Sequence, residues 1–228
     1  ITDNIDHAGL LLNKAKKLKK IIQVGHIERF NPAFNLLKNK DIQPRFIETH
    51  RLAKFNPRGN DVPVILDLMI HDIDIILSLV KSEIKNIYAN GVKVISSTVD
   101  IANARIEFNN GCIANLTASR ISQKSLRKMR LFQEKDYITI DFKESILEKY
   151  KVCDKPPIPW KNDKVFELDG EEKKYILYRK PTVLKHDALK EELIHFVDSI
   201  QNAKQPETNG ISATAALSLS LEIQKIID

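Results

Sequence analysis

Cysteine is scarce in this chain of 228 residues: Cys112 and Cys153 stand alone, with no CxxC pair and no histidine at metal-ligand spacing beside either. That excludes a disulfide framework and a structural zinc site, and both residues read as reduced thiols of a cytoplasmic protein. Glycine is equally sparse. The seven are Gly9, Gly25, Gly59, Gly91, Gly111, Gly170 and Gly210, and no two of them form a GxG. The turn that cradles dinucleotide phosphates cannot be drawn from them. No apolar run approaches the roughly 18 residues of a membrane span. The basic amphipathic stretch Ala8 to Lys20 is too briefly apolar for a secretory signal, and Asp3 and Asp6 argue against a transit peptide. Arginine-rich blocks are missing as well. The 36 basic residues against 30 acids leave a net charge of +6, carried mostly by dispersed lysines. Such a surface suits a local pocket for an anionic substrate better than a nucleic-acid face.

What is present is an ordinary globular balance, 43% hydrophobic and 29% charged, enough for a substantial core in one large domain or two smaller ones. Asp3 or Asn4 can cap a helix running to about Lys19, and the β-branched Ile21 to Val24 reads as a buried strand ending at Gly25. Together they look like the end of a parallel α/β unit. Asn31 before Pro32 is an N-cap with a first-turn proline and opens a short helix to about Lys40. Arg45 to Ala53 alternates as a strand that delivers Arg51 to its far end. A loop from Phe55 to Pro63, carrying Arg58, Gly59, Asn60 and Asp61, leads into a helix from Val64 to about Val80.

Beyond that helix the hydrophobic period changes to two. Strands are expected over Ile84 to Val94, Ile101 to Phe108, Cys112 to Ile121, Arg127 to Glu134, Tyr137 to Phe142 and Ile146 to Val152. Asn110-Gly111 is the strongest hairpin signal among their connections. Sequential strands joined by tight turns imply a mostly antiparallel sheet. Pro156, Pro157 and Pro159 make Asp154 to Asp163 a loop, where Trp160 serves packing or an interface, and a short strand over Lys174 to Tyr178 follows. Helices over about Leu184 to Ala203 and Ser212 to Ile227 close the chain, the second so rich in alanine and leucine that deep burial is expected. His186 and His195, nine residues apart, are assigned no chemistry.

The chemistry concentrates in Asp67 to Asp74, reading DLMIHDID. Asp67 and His71 stand four apart and share a helix face, with Asp74 expected beside them and the apolar residues on another stripe. Imidazole titrates near neutrality, and a neighbouring carboxylate can orient the ring and stabilise its protonated form. On spacing alone, a general acid/base site and a solvated helix face are both open readings.

Three stretches add a resemblance. Gln23 to Pro32, reading QVGHIERFNP, the DLMIHDID helix, and the alanine-rich Gly210 to Ile227 are similar to the glucose-fructose oxidoreductase / inositol dehydrogenase / MocA family, over its C-terminal part. Within it, RLAKFNPRGNDVPVILDLMIHDID most resembles nucleotide-sugar oxidising members, the UDP-N-acetylglucosamine 3-dehydrogenases among them. The resemblance implies an α+β fold: a large, mostly antiparallel open sheet with helices packed on one face, preceded by the last helix and strand of a truncated Rossmann domain. It divides the chain into a dinucleotide-domain remnant over 1–25 and a substrate-binding, catalytic and oligomerisation domain over 26–228. Family members begin with a dinucleotide-binding fold that has no counterpart here, so this chain, which starts at Ile1, is expected to be a fragment.

The function implied is oxidation of a secondary hydroxyl of a sugar or nucleotide sugar, with hydride passed to NAD or NADP. His71 matches the family's catalytic base and Asp67 the carboxylate that binds substrate or fixes the ring. Arg51 and Arg58 flank the preceding loop as candidate clamps for a diphosphate, and Asn31 is a candidate for facing the nicotinamide or substrate. His26 and Arg29 are candidate cofactor-side residues, with no metal implied. The fragment alone is expected to be inactive, and the open sheet face is expected to pair into a homodimer or homotetramer. The alternative is a non-catalytic sugar-nucleotide binding or dimerisation module.

Overall fold

The computed structural model describes residues 1–38, 40–57, 61–170 and 172–228. It is an α+β fold built on one nine-stranded sheet in the order β2-β3-β4-β1-β5-β6-β7-β9-β8. The strands are β1 (Phe46–Leu52), β2 (Ile84–Val92), β3 (Ile101–Phe108), β4 (Ile113–Ser119), β5 (Leu126–Gln133), β6 (Asp136–Asp141), β7 (Ile146–Cys153), β8 (Lys164–Leu168) and β9 (Lys174–Arg179). All neighbours run antiparallel except β1 and β4, which pair in parallel from Phe46 opposite Ile113 to Leu52 opposite Ser119. Parallel strands need a crossover. The segment from β1 to β4 supplies it and contains the DLMIHDID helix.

Alternation sets the two faces of the sheet. Ile47, Ala104, Ile106, Ala114, Leu116, Met129, Leu131, Ile138, Ile140 and Leu147 are buried toward the helices. Helix α3 (Ile70–Leu79) and α5 (Gly210–Ile227) pack on each other, with α5 also against β2 and the short α2 (Pro32–Asn35) against β6 and β7. The expected hairpin at Asn110-Gly111 forms, with Gly111 at φ +83°, where a Cβ would be strained. Helix α1 (Ile5–Lys17), capped by the Asn4 side chain, lies against α5. The approach is close: a Cβ on Gly210 would stand 2.5 Å from Leu12 Cδ2.

Several local expectations are corrected. Ile21 to Val24 is not a strand but makes a single bridge, Gln23 to Asn209, with the Val24 amide donating to Thr208 O at 2.8 Å. An extended segment becomes a strand only beside a neighbour, and this one has just the entrance to α5. The helix after Pro32 stops at Asn35 and is preceded by a 3₁₀ turn, Ile27–Phe30. The helix expected from Val64 begins with a π turn, Ile65–Met69, before α3 proper. Strand β8 was not expected: its five residues are all exposed, so no alternation betrays it, and it exists through pairing with β9. Helix α4 (Ala188–Gln201) starts later than expected because Asp187 caps it, accepting from the Leu189 and Lys190 amides.

Candidate active site

The segment 24–31, the end of β1 and the π turn leading into α3 converge beside one cleft. Its volume is about 380 Å³, and Val24, Gly25, His26, Leu66, Ile70 and His71 are among its lining residues. His26 and His71 meet edge to face, their ring centroids 6.1 Å apart and their planes at 79°. Nδ1 of each ring is buried without a hydrogen-bond partner among the described residues. Orphaned buried nitrogens are costly unless something polar completes them. A π turn widens the helix by one residue per turn, and such turns recur where a helix must present a side chain off its regular face.

Electrostatics keep both rings neutral. Burial lowers the His71 pKa to about 3, and the positive charges of Arg51 and Arg127 push the same way, as a proton on His26 would. Burial also lowers His26, with Asp74 opposing and Arg29 reinforcing. The support that Asp67 was expected to give the protonated ring is therefore corrected. Among the described residues no carboxylate raises the His71 pKa, and Asp67 lies exposed on the π turn and outside the cleft lining.

Asp72 and Asp74 turn inward instead of solvating the helix, at 3% and 2% exposure. Arg51 binds Asp72 through both arms of its fork, Nε to Oδ2 at 3.1 Å and Nη2 to Oδ1 at 2.8 Å, while Nη1 reaches Glu28 Oε1 at 2.9 Å. All three residues are buried. Burial pushes the Asp72 carboxyl up against the pull of Arg51, and Arg51 itself is held above its ordinary value by the two carboxylates, which outweigh its desolvation. Arg51 thus has no open fork for a diphosphate. Asn31 is likewise occupied: Oδ1 accepts the Ala33 amide at 3.0 Å and Nδ2 donates to Phe142 O at 2.8 Å, so it caps α2 and ties it to the end of β6. Arg29 donates from Nε to Asp74 Oδ2 at 2.7 Å and borders a different hollow, beside Phe34 and Leu37. Arg58, with Gly59 and Asn60, lies outside the described residues.

Of the expected site residues, the structure brings His71 and His26 together at the cleft and sets Arg51, Asn31 and Arg29 inside the supporting framework. Sequence reasoning missed Glu28 and Arg127. Glu28 sat inside the quoted GHIERFNP stretch, where its charge signalled surface. Arg127 is found only from register: it stands directly opposite Arg51 across β1 and β5, is half exposed, and reaches Glu28 Oε1 at 3.5 Å. Among the described residues no group of three or more His, Cys, Asp or Glu side chains could hold a metal ion.

Comparison with known proteins agrees with this architecture. Residues 16–139 match the model of the GFO/IDH/MocA C-terminal domain. A UDP-N-acetylglucosamine 3-dehydrogenase from Acidithiobacillus ferrooxidans is 31% identical over 230 aligned residues, covering 100% of this chain and 69% of that protein. A solved structure of the enzyme of that name from the same organism superposes with a TM-score of 0.86 at 30% identity, over 99% of this chain and 68% of the other. The scyllo-inositol dehydrogenase of Lactobacillus casei, solved with NAD(H) and scyllo-inositol, shares the fold at a TM-score of 0.68 and 17% identity, over 98% and 68% of the two chains.

Proposed function

The chain belongs to the GFO/IDH/MocA family, and from that premise we propose that it is the substrate-binding and acid/base part of an NAD(P)-dependent oxidoreductase acting on a secondary hydroxyl of a nucleotide sugar of the UDP-N-acetylglucosamine type. The division into a dinucleotide-domain remnant over 1–25 and a catalytic domain over 26–228 belongs to the same proposal. The observation that carries it is the pair of neutral imidazoles with orphaned nitrogens beside the cleft, in a chain resembling the Acidithiobacillus enzyme along its whole length.

In this reading His71, neutral at physiological pH, accepts the hydroxyl proton as its alcohol carbon loses hydride. Asp67, exposed one helical turn before His71, serves a substrate hydroxyl that projects beyond the cleft. His26 lines the same cleft and meets His71 edge to face, so it shapes the reacting end. That end fits a nicotinamide and a sugar ring: it is walled by apolar Val24, Leu66 and Ile70 and lined by the two imidazoles. The nicotinamide would supply the hydride acceptor. The anionic part of the substrate falls to Arg58 and to the half-exposed Arg127, since Arg51 is engaged.

The decisive measurement is reduction of NAD or NADP with UDP-N-acetylglucosamine by the product of the complete reading frame, wild type and His71→Ala. A loss of about 10²–10⁴-fold is expected for the variant. An unchanged rate removes His71 from the mechanism.

A further inference from the structure

Buried charge is costly, and an ion pair inside a protein seldom stabilises more than the apolar residues that could replace it. The Glu28, Arg51 and Asp72 cluster is such a pair extended to three members, each at most 6% exposed. Its placement is specific. Asp72 directly follows His71 on the helix, Glu28 lies two residues beyond His26, and Arg51 spans the two carboxylates at 2.8 and 2.9 Å. The Arg29–Asp74 pair at 2.7 Å straps the same two elements a second time. The T-shaped imidazole pair therefore sits between two segments locked together by ion pairs. The charges also balance locally. Glu28 and Asp72 offset Arg51 and the half-exposed Arg127, so the guanidinium is held permanently ionised and permanently in place.

We propose that Arg51 is a positioning residue acting through His71: clamped by Asp72 and Glu28, it fixes the imidazole-bearing turn against the segment carrying His26 and presents a fixed positive charge to the ring. The groups acting on His71 are Arg51 from β1 and Arg127 from β5, whose charges oppose a proton on the ring, and His26 from the segment before the 3₁₀ turn, which opposes it only when protonated itself; Asp3 lines the same cleft. Arg51 is the first of them and the only one buried with both its carboxylate partners. The ring is thus kept free to receive a proton, and gives it up readily once the reaction is over. This proposal rests on the reading of His71 as the base, and its test does not depend on turnover.

The test follows the His71 ring protons by NMR from about pH 8 to pH 4 in the 228-residue chain. In the wild type the His71 signal stays that of a neutral ring across this range. In Arg51→Met the midpoint rises by about one pH unit or more and the ring begins to titrate toward the acid end. Arg51→Lys, which keeps the charge, restores the wild-type behaviour, and Glu28→Gln leaves the ring neutral throughout. A scaffold role alone would not separate Met from Lys in this way. Should Arg51→Met fail to fold, the double variant Arg51→Met with Asp72→Asn removes cation and partner together, leaves Glu28 with Arg127, and is read identically. A ring that stays neutral to pH 4 in whichever variant folds, or one that titrates equally in Lys and Met, overturns the proposal. If the titration shifts as expected while His71→Ala retains turnover, the electrostatic contact stands and the catalytic reading of His71 falls.

Discussion

At the scale of single residues, the site shows burial and charge acting together on one imidazole. The folded His71 titrates at about 3 and an unfolded histidine at about 6.5. Below the unfolded value the unfolded chain binds a proton that the folded chain refuses, so stability falls as pH falls through that window. His71 alone takes away about 2 kcal/mol between pH 7 and pH 5. Urea unfolding at the two pH values measures it, and His71→Gln is expected to shrink the loss by about that amount. An equal loss in the variant would place the ring in solvent. The histidine and its neighbours were legible as residue types at a spacing. Their directions were not: DLMIHDID leaves a solvated face and an acid/base site both open, whereas a π turn and the ion partners Arg51 and Arg29 hold Asp72 and Asp74 inward and leave Asp67 out.

At the scale of elements, polar side chains terminate and brace what the hydrophobic pattern starts. Asn4, Asn31, Asp187 and Asn209 each accept backbone amides at the head of a helix. Between β2 and β3 the fully buried Asp100 accepts the amides of Val94, Ile95 and Ser96 at 2.8, 2.7 and 2.9 Å, with the Arg120 guanidinium nearby. Burial raises this carboxyl, but the donors of Ser96, Ile95 and Val94 outweigh it and hold it well below the ordinary range. Arg120 in turn donates to Val62 O, in the loop that precedes the π turn. Asp100→Ala is expected to cost about 3–5 kcal/mol, because it takes the acceptor from three amides at once. Chemical denaturation gives the value, and a cost under about 1 kcal/mol would show that water replaces the carboxylate. Helix and strand identities were readable from period and caps. Strand β8 and the fate of Ile21 to Val24 were not, since pairing partners far along the chain decide both.

At the scale of the whole molecule, the sheet leaves one broad face without helices. Across it runs a ladder of rings, Phe46, Phe132, Tyr137, Tyr150 and Tyr178, with successive centroids 5.8, 4.7, 5.0 and 5.0 Å apart. We propose this face as the seat of the homodimer or homotetramer. Light scattering at micromolar concentration is expected to return a multiple of the 26.1 kDa chain, and Tyr150→Arg is expected to lower it. A wild-type monomer would sink the proposal. Among the described residues no helix is long and apolar enough to cross a membrane.

What the sequence determined by itself was local and periodic. Alternation set which residues of β3, β4 and β6 face the core, Asn110-Gly111 set the β3–β4 turn, and the four-residue step from Asp67 to His71 singled out one helix as the candidate acid/base element. The tertiary structure alone decided which charges are buried together. Arg51 meets Glu28 across 23 residues and Asp72 across 21, and Arg127 stands opposite it only because β5 pairs with β1. Ion pairing in a low-dielectric interior depends on distance in space, and no spacing along the chain encodes it.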